Sequence, residues 1–292
     1  MVVNTASGSV GMGAPKEAEA LLAELGIEGK IHVPEDGDVI GAVKAAFEAK
    51  PDLVAILAGD GTARAAAAMA GPHGQLIATL PGGTMNMLPH ALYGLRDWKT
   101  ALKDSVENGV VRHVGGGDIN GQSFYVAAIL GSPALFAEAR EAIRGGDLVL
   151  AVKRMQRAMR RVLRGRLRYA FEKGRQGKAE AITFLCPLIS TAISDDERAL
   201  EAATLDVRTA ADVFRLAYTS VVRDWRDDPA VSVGLCRKGE VRAYGQIPAI
   251  LDGEPVEFED IAHIRYHPRA FRALVPADQQ AASHAPAEGA AA

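Results

Sequence analysis

Two short stretches carry residue types and spacings that could do chemistry on a phosphorylated ligand. The first is Ile56-Leu57-Ala58-Gly59-Asp60-Gly61-Thr62, an apolar run leading into an acid bracketed by glycines. The second is Pro81-Gly82-Gly83-Thr84-Met85-Asn86, again directly after an apolar run. Glycine lets a backbone approach a ligand closely, and the free N–H groups at the start of a following helix favour an anion. The amides near Gly59, Asp60, Gly61 and Thr62, those near Gly82, Gly83 and Thr84, and the Asn86 side chain are therefore candidate phosphate donors. The Asp60 carboxylate is a candidate to orient a metal ion or the nucleotide. Asn4 and Ser7, in a turn closed by Gly8, could complete the rim. Arg64 could neutralise phosphate or serve as a solvated helix charge. Far downstream, Asp252-Gly253-Glu254 follows an apolar pair; it reads either as a β-turn or as an acid placed for proton transfer.

The first half of the chain must position the two glycine loops, and it alternates strand and helix. Val2-Val3, Ile31–Val33, Leu53–Ala58 and Leu76–Leu80 read as strands. Lys16–Leu25, Val39–Ala49 and Ala63–Ala70 read as helices. Such alternation implies parallel pairing in an α/β domain, with both loops at strand C-terminal ends, where open parallel sheets bind ligands. The boundary is expected near Gly115-Gly116-Gly117, giving an α/β domain over 1–115. From Asp118 on, extended segments recur: Ser123–Leu130, Leu167–Phe171, Ala181–Leu188, Thr204–Val207, Ala230–Leu235, Glu240–Ala243 and Val256–Phe258. These predict a mainly antiparallel β domain over 116–276, whose last segment has the option of returning to the first domain, with one long helix at about 148–163. The Ala/Gln/Ser/Pro tail over 277–292 has no periodicity and reads as disordered.

Composition excludes several classes. At 292 residues, 48% hydrophobic and 24% charged, the chain has enough apolar material for two ordinary cores. A formal charge of −3 argues against a general nucleic-acid binder, which needs a basic surface. Cys186 and Cys236 lack metal or disulfide spacing, and no apolar run is long enough to span a membrane, so a reducing cytoplasm is expected, with peripheral membrane contact open. His263 and His267 lie four apart, but Pro268 and the extended context argue against a metal pair.

Four motifs in order resemble the diacylglycerol kinase catalytic-domain superfamily, which includes bacterial lipid kinases, sphingosine kinases and ceramide kinases. They are Asn4-Thr5-Ala6-Ser7-Gly8, Ala58-Gly59-Asp60-Gly61-Thr62, Pro81-Gly82-Gly83-Thr84-Met85-Asn86-Met87 and Asp252-Gly253-Glu254. The resemblance implies a Rossmann-like nucleotide domain followed by a β-sandwich, with the active site in the cleft between the domains. It implies ATP and Mg²⁺ as cofactors and a membrane lipid as acceptor. Asp252 would be the general base, Asp60 the second catalytic acid, and Glu254 a helper to Asp252 or to a metal. The family's first strand begins several residues earlier, so the start at Met1 is expected to lie inside it.

This sequence departs from the pattern at Ala58, which replaces a glycine, at Ala65 and Met87, which replace acids, and at Pro34, which replaces a threonine. These departures thin the polar shell and motivate a second reading, a nucleotide- or lipid-binding protein of the same fold with weakened turnover. An enzyme similar to NAD kinases is a third. The family's second-domain metal loop aligns with Ala202-Ala203-Thr204-Leu205-Asp206-Val207, so its first ligand falls on Ala202 and the site is expected to be lost. Asp195, Asp196 and Glu201 read as solvated acids. The basic stretch over 152–166, with Arg154, Arg157, Arg161 and Arg164 on one helical face, suits either a solvated helix side or an anionic membrane surface.

Overall fold

The computed structural model describes residues 1–131, 167–190, 193, 198–206 and 225–278. The expected helix at 148–163, the basic stretch over 152–166, Asp195, Asp196 and all of the tail beyond 278 lie outside these residues. The chain divides into two compact units, Met1–Gly115 with Pro268–Ala292, and Gly116–His267.

Unit 1 holds β1 (Val2–Val3), α1 (Ala14–Glu24), α2 (Val39–Glu48), β2 (Leu53–Ala58), α3 (Asp60–Ala70), β3 (Leu76–Pro81), α4 (Met87–Tyr93) and α5 (Trp98–Asn108). β4 (Gly109–Ile119) then leads out of it. β1, β2 and β3 pair in parallel, with Val2 opposite Ile56 and Ala58 opposite Pro81. β2 is buried on both faces, as its unbroken apolar run requires. Its neighbour α3 turns Ala63, Ala66, Ala67 and Ala70 inward at helical spacing, a stripe small enough for helix and sheet to approach closely. The expected strand at Ile31–Val33 is reduced to a single parallel bridge between His32 and Val2. α5 starts at Asp97, whose carboxylate accepts from the amides of Lys99 and Thr100.

Unit 2 holds β5 (Gln122–Phe124), β6 (Ala127–Gly131), β7 (Leu167–Phe171), β8 (Gln176–Ala179), β9 (Ala181–Leu185), β10 (Leu200–Leu205), β11 (Val231–Cys236), β12 (Lys238–Arg242), β13 (Ile247–Leu251) and β14 (Glu254–Phe258). The final strand, β15 (Ile261–Pro276), begins in unit 2 and ends in unit 1. In unit 2 it pairs with β12, which continues through β7 to β8; in unit 1 its Ala273 pairs in parallel with Ile77 of β3. The second sheet of unit 2 runs β11-β10-β9-β6-β13-β14, antiparallel throughout. One core fills the space between the sheets, with Phe124, Leu167, Phe171, Val241 and Ile264 from one and Leu130, Ile182, Phe184, Leu200 and Leu251 from the other. The architecture is thus an α/β domain and a mainly antiparallel β-sandwich.

Three details go beyond the sequence reading, each with a physical cause. The expected strand over Ser123–Leu130 is interrupted at Tyr125-Val126, where the amides turn to a side-chain acceptor instead of a neighbouring strand. β4 runs unbroken through Gly115-Gly116-Gly117, and the two units divide between Gly115 and Gly116. A Cβ at Gly117 would stand 2.0 Å from the Phe124 ring and one at Gly116 would stand 2.6 Å from the Tyr125 ring, so these glycines make room for aromatic rings within a strand. Glu201, read as a solvated acid, is fully buried on β10. Arg226 Nε meets its carboxylate at 2.5 Å and the Ser190 hydroxyl also donates to it, while the guanidinium stacks on Trp225 at 4.7 Å. That partner lies too far along the chain to be read from local sequence.

Candidate functional site

In unit 1 the loops after β1, β2 and β3 converge at the C-terminal ends of the three parallel strands. The first loop folds on itself through Ser7 N–H to the Asn4 carbonyl (3.0 Å) and Ala6 N–H to Asn4 Oδ1 (3.2 Å). Ser9 ties it to the third loop, donating from its amide to the Gly82 carbonyl (3.2 Å) and from its hydroxyl to the Gly83 carbonyl (3.1 Å). Asn86, in the left-handed region at φ 51°, closes the third loop. It accepts from Gly83 N–H at 2.6 Å and returns a bond from Nδ2 to the Gly83 carbonyl at 3.0 Å.

The glycines in this cluster are required by space. A Cβ at Gly83 would lie 2.9 Å from the Gly59 Cα, and one at Gly8 would lie 2.8 Å from Thr84 Oγ1. A Cβ at Gly82 would meet the Ala58 backbone at 2.8 Å, while Ala58 itself is buried in β2 and keeps its pairing with Pro81. The glycine-to-alanine departure at position 58 is therefore absorbed within the strand.

Asp60 opens α3 and is 8% exposed, with Oδ1 buried and without a hydrogen-bond partner. Burial raises its pKa above the ordinary carboxylate range, against the lowering influence of the Met87, Asn86 and Leu88 amides and of His90. Gly59, the N-cap, provides no side-chain bond to the first turn of α3, so the N–H groups there have no capping acceptor from Gly59. Gly61 and Thr62 are half-buried in this turn, as is Arg64 one residue further on than Ala63. Thr84 is exposed on the third loop. Met87 contributes its amide rather than a side-chain acid, and Ala65 and Pro34 are both half-buried.

A buried carboxylate oxygen without a partner, next to a helix start and a glycine cradle that any side chain would fill, fits phosphates carried with a divalent cation. Mg²⁺ commonly takes only one or two protein carboxylates and completes its shell with phosphate oxygens and water. Among the described residues no group of three or more His, Cys, Asp or Glu side chains could hold a metal without such help.

In unit 2, Asp252-Gly253 is the two-residue loop of the β13–β14 hairpin, with Leu251 opposite Glu254. Both loop residues have positive φ, 47° and 88°, the requirement of a type I′ turn. The turn reading holds, and the Asp252 side chain is 1% exposed and turned to the backbone at 125–127. Its Oδ1 accepts from Val126 and Ala127 N–H at 2.8 and 2.9 Å, and Oδ2 accepts from Tyr125 N–H at 2.8 Å. Asp252 thus clamps the break between β5 and β6, a role that motif spacing did not reveal. Cys186 lies near enough to feel its charge, and burial together with that charge pushes the thiol pKa well up. Glu254 is exposed at the start of β14. Ala202, aligned with the family's metal ligand, is buried in β10 and paired on both sides.

Comparison with known proteins agrees with these two units. The family model of the diacylglycerol kinase catalytic domain matches residues 1–117. No curated protein matches the chain. A diacylglycerol kinase from Bacillus anthracis str. Sterne superposes with a TM-score of 0.66 at 15% identity over 95% of this chain and 96% of its own. A further structure from that organism superposes at 0.71 with 16% identity, over 95% and 96%. An NAD kinase from Archaeoglobus fulgidus, solved in complex with ATP, superposes at 0.52 with 12% identity, over 95% and 94%. At these identities the likenesses establish the fold. Among the described residues no helix is long and apolar enough to cross a membrane. The first 117 residues, which contain the whole three-loop cluster, are thus similar to the diacylglycerol kinase catalytic domain.

Proposed function

We propose that the protein is an ATP-dependent lipid kinase that transfers the γ-phosphate to a hydroxyl of a membrane lipid such as diacylglycerol or a sphingoid-type alcohol. The observation that carries this reading is the three-loop cluster with the partnerless, buried Asp60 oxygen at its floor. ATP supplies the phosphoryl group. The amides at the start of α3 and around Gly83 hold its phosphates, and the paired Asn86–Gly83 bonds keep the third loop in shape as they bind. Asp60 would hold Mg²⁺, which neutralises phosphate charge. In the transfer, the lipid oxygen bonds to the γ-phosphorus as the bond to the β-phosphate bridging oxygen breaks, ADP leaves, and the hydroxyl proton passes to a base. Asp252 is that base in this reading, on the strength of its place in the Asp-Gly-Glu motif.

A second reading, a nucleotide- or lipid-binding protein with little turnover, draws on Met87 and Ala65, where the resemblance would have acids. Calorimetric titration with ATP, with NAD and with lipid-bearing micelles checks the ligands. The kinase reading expects saturable ATP binding that requires Mg²⁺ for full affinity, and no preference for NAD. Tighter binding of NAD than of any lipid would move the assignment to a soluble acceptor.

A further inference from the structure

The outer face of the first sheet of unit 2 carries a pattern of charge that the kinase chemistry does not use. Residues directly opposite each other on paired antiparallel strands share a face. On this face Arg242 of β12 stands opposite Arg168 of β7, and Arg168 stands opposite Lys178 of β8. Two rows further along, Lys238 of β12 stands opposite Arg265 of β15. Between the rows lie Glu240 and His263, also opposite each other. The other face of the same strands buries Val241, Ala262, Ile264, Leu167 and Phe171 in the sandwich core.

Like charges placed directly opposite are destabilising, and this face does it three times across four adjacent strands. Neighbouring strands are about 4.8 Å apart, so the cations lie within a Debye length of one another and their potentials add. Glu240 engages Arg242 and lies 3.7 Å from His263 Nδ1; Asp260 also lies near enough to act on Arg242, and Asp118 lines the adjoining recess, so five cations face three acids. A recess of about 440 Å³ opens among Asp118, Asn120, Gly121, Lys238, His263 and Arg265. At the edge, Tyr244 is 90% exposed, with the Arg168 guanidinium 5.7 Å from its ring centroid. An exposed tyrosine flanked by cations suits the headgroup layer of a bilayer, where an apolar ring and a polar hydroxyl are both accommodated.

We propose that this face docks the protein on an anionic phospholipid surface, the recess between Lys238 and Arg265 admitting a phosphate-bearing headgroup. The face is net positive on a chain whose formal charge is −3, so attraction to a flat anionic layer is local and orienting. A nucleic acid is the less favoured partner, because the described face offers a single exposed aromatic and the chain as a whole is acidic. The inference deepens the lipid-kinase reading and rests on it for its biological sense, but binding can be measured without turnover.

The test is co-sedimentation, without ATP and at physiological salt, with vesicles of phosphatidylcholine alone or mixed with phosphatidylglycerol. Wild type is compared with Arg168→Gln/Lys238→Gln/Arg265→Gln and with a control, Lys16→Gln/Lys44→Gln/Lys50→Gln, that removes the same charge from unit 1. The proposal expects binding only to the anionic vesicles, lost by on the order of 10²-fold in the first variant and kept in the control. The first variant should melt no lower than wild type, because like-charge pairs are removed, and should phosphorylate lipid in neutral detergent micelles as wild type does. Equal loss in both variants, unchanged binding in the first, or equal binding to neutral vesicles would overturn the proposal. So would displacement by millimolar inorganic phosphate, which marks a small-anion site, or equally tight, equally sensitive binding of heparin, which marks a general polyanion surface. Absence of turnover in wild type, with vesicle binding behaving as expected, would sink the kinase reading and leave the docking face standing.

Discussion

Asp60→Asn is expected to remove turnover and, in the same protein, to raise thermal stability. Loss of the charge takes away the group proposed to face the divalent cation and phosphates, at a cost on the order of 10² to 10³ in kcat. The stability gain follows from burial. Because the folded-state pKa of Asp60 is raised, ionisation at neutral pH disfavours the folded state, and that penalty disappears as pH falls through the raised pKa. The variant should therefore melt above wild type at pH 7, and the two should approach one another in mildly acid buffer. Melting curves across pH, alongside steady-state rates, check both halves. Unchanged turnover would remove Asp60 from the chemistry; a lower melting temperature at pH 7 would show that the carboxylate is satisfied by groups other than a ligand.

Asp252→Asn has the second large effect, and the clamp geometry changes how it must be read. An asparagine in the same position keeps one oxygen for the Val126 and Ala127 amides but turns an NH₂ group towards the Tyr125 amide, or the reverse after a flip. One or more buried donors then lose their acceptor, at about 1–3 kcal/mol each. If Asp252 is also the general base, kcat falls by about 10² to 10⁴ at a temperature where the variant is fully folded. If it is a clamp alone, activity per folded molecule stays near that of wild type while the melting temperature drops. Rates measured well below the variant's own melting transition, with ATP affinity measured in parallel, separate these outcomes.

The loop cluster in unit 1 was legible in the sequence because each part of it is local. A buried apolar run such as Leu53–Ala58 has to be a strand, and glycines at its end have to turn. Asn4, Ser7, Gly59, Asp60, Gly83 and Asn86 come together because parallel strands deliver their following loops to one edge. Ser9 was missed: its two bonds to the third loop depend on a partner in another loop. Unit 2 was less legible for the same reason. Glu201 takes its meaning from Arg226, and Asp252 takes part of its meaning from amides at 125–127 that spacing cannot show. β15 escaped detection because Pro268 and the flanking histidines and arginines mask a strand that alternates inward only at Ala262 and Ile264 and again from Phe271 onward. The paired cations of its outer face became visible only once strand register placed Lys238 against Arg265 and Arg242 against Arg168.

Phosphoryl transfer from ATP to a lipid hydroxyl through the loops of unit 1 is open to direct measurement. Incubation with γ-labelled ATP, Mg²⁺ and a panel of diacylglycerol, ceramide and sphingoid bases, followed by organic extraction, measures it directly. Label is expected in one extracted lipid with wild type and is lost with Asp60→Asn. Bound ATP with no labelled lipid from any member of the panel would contradict this transfer.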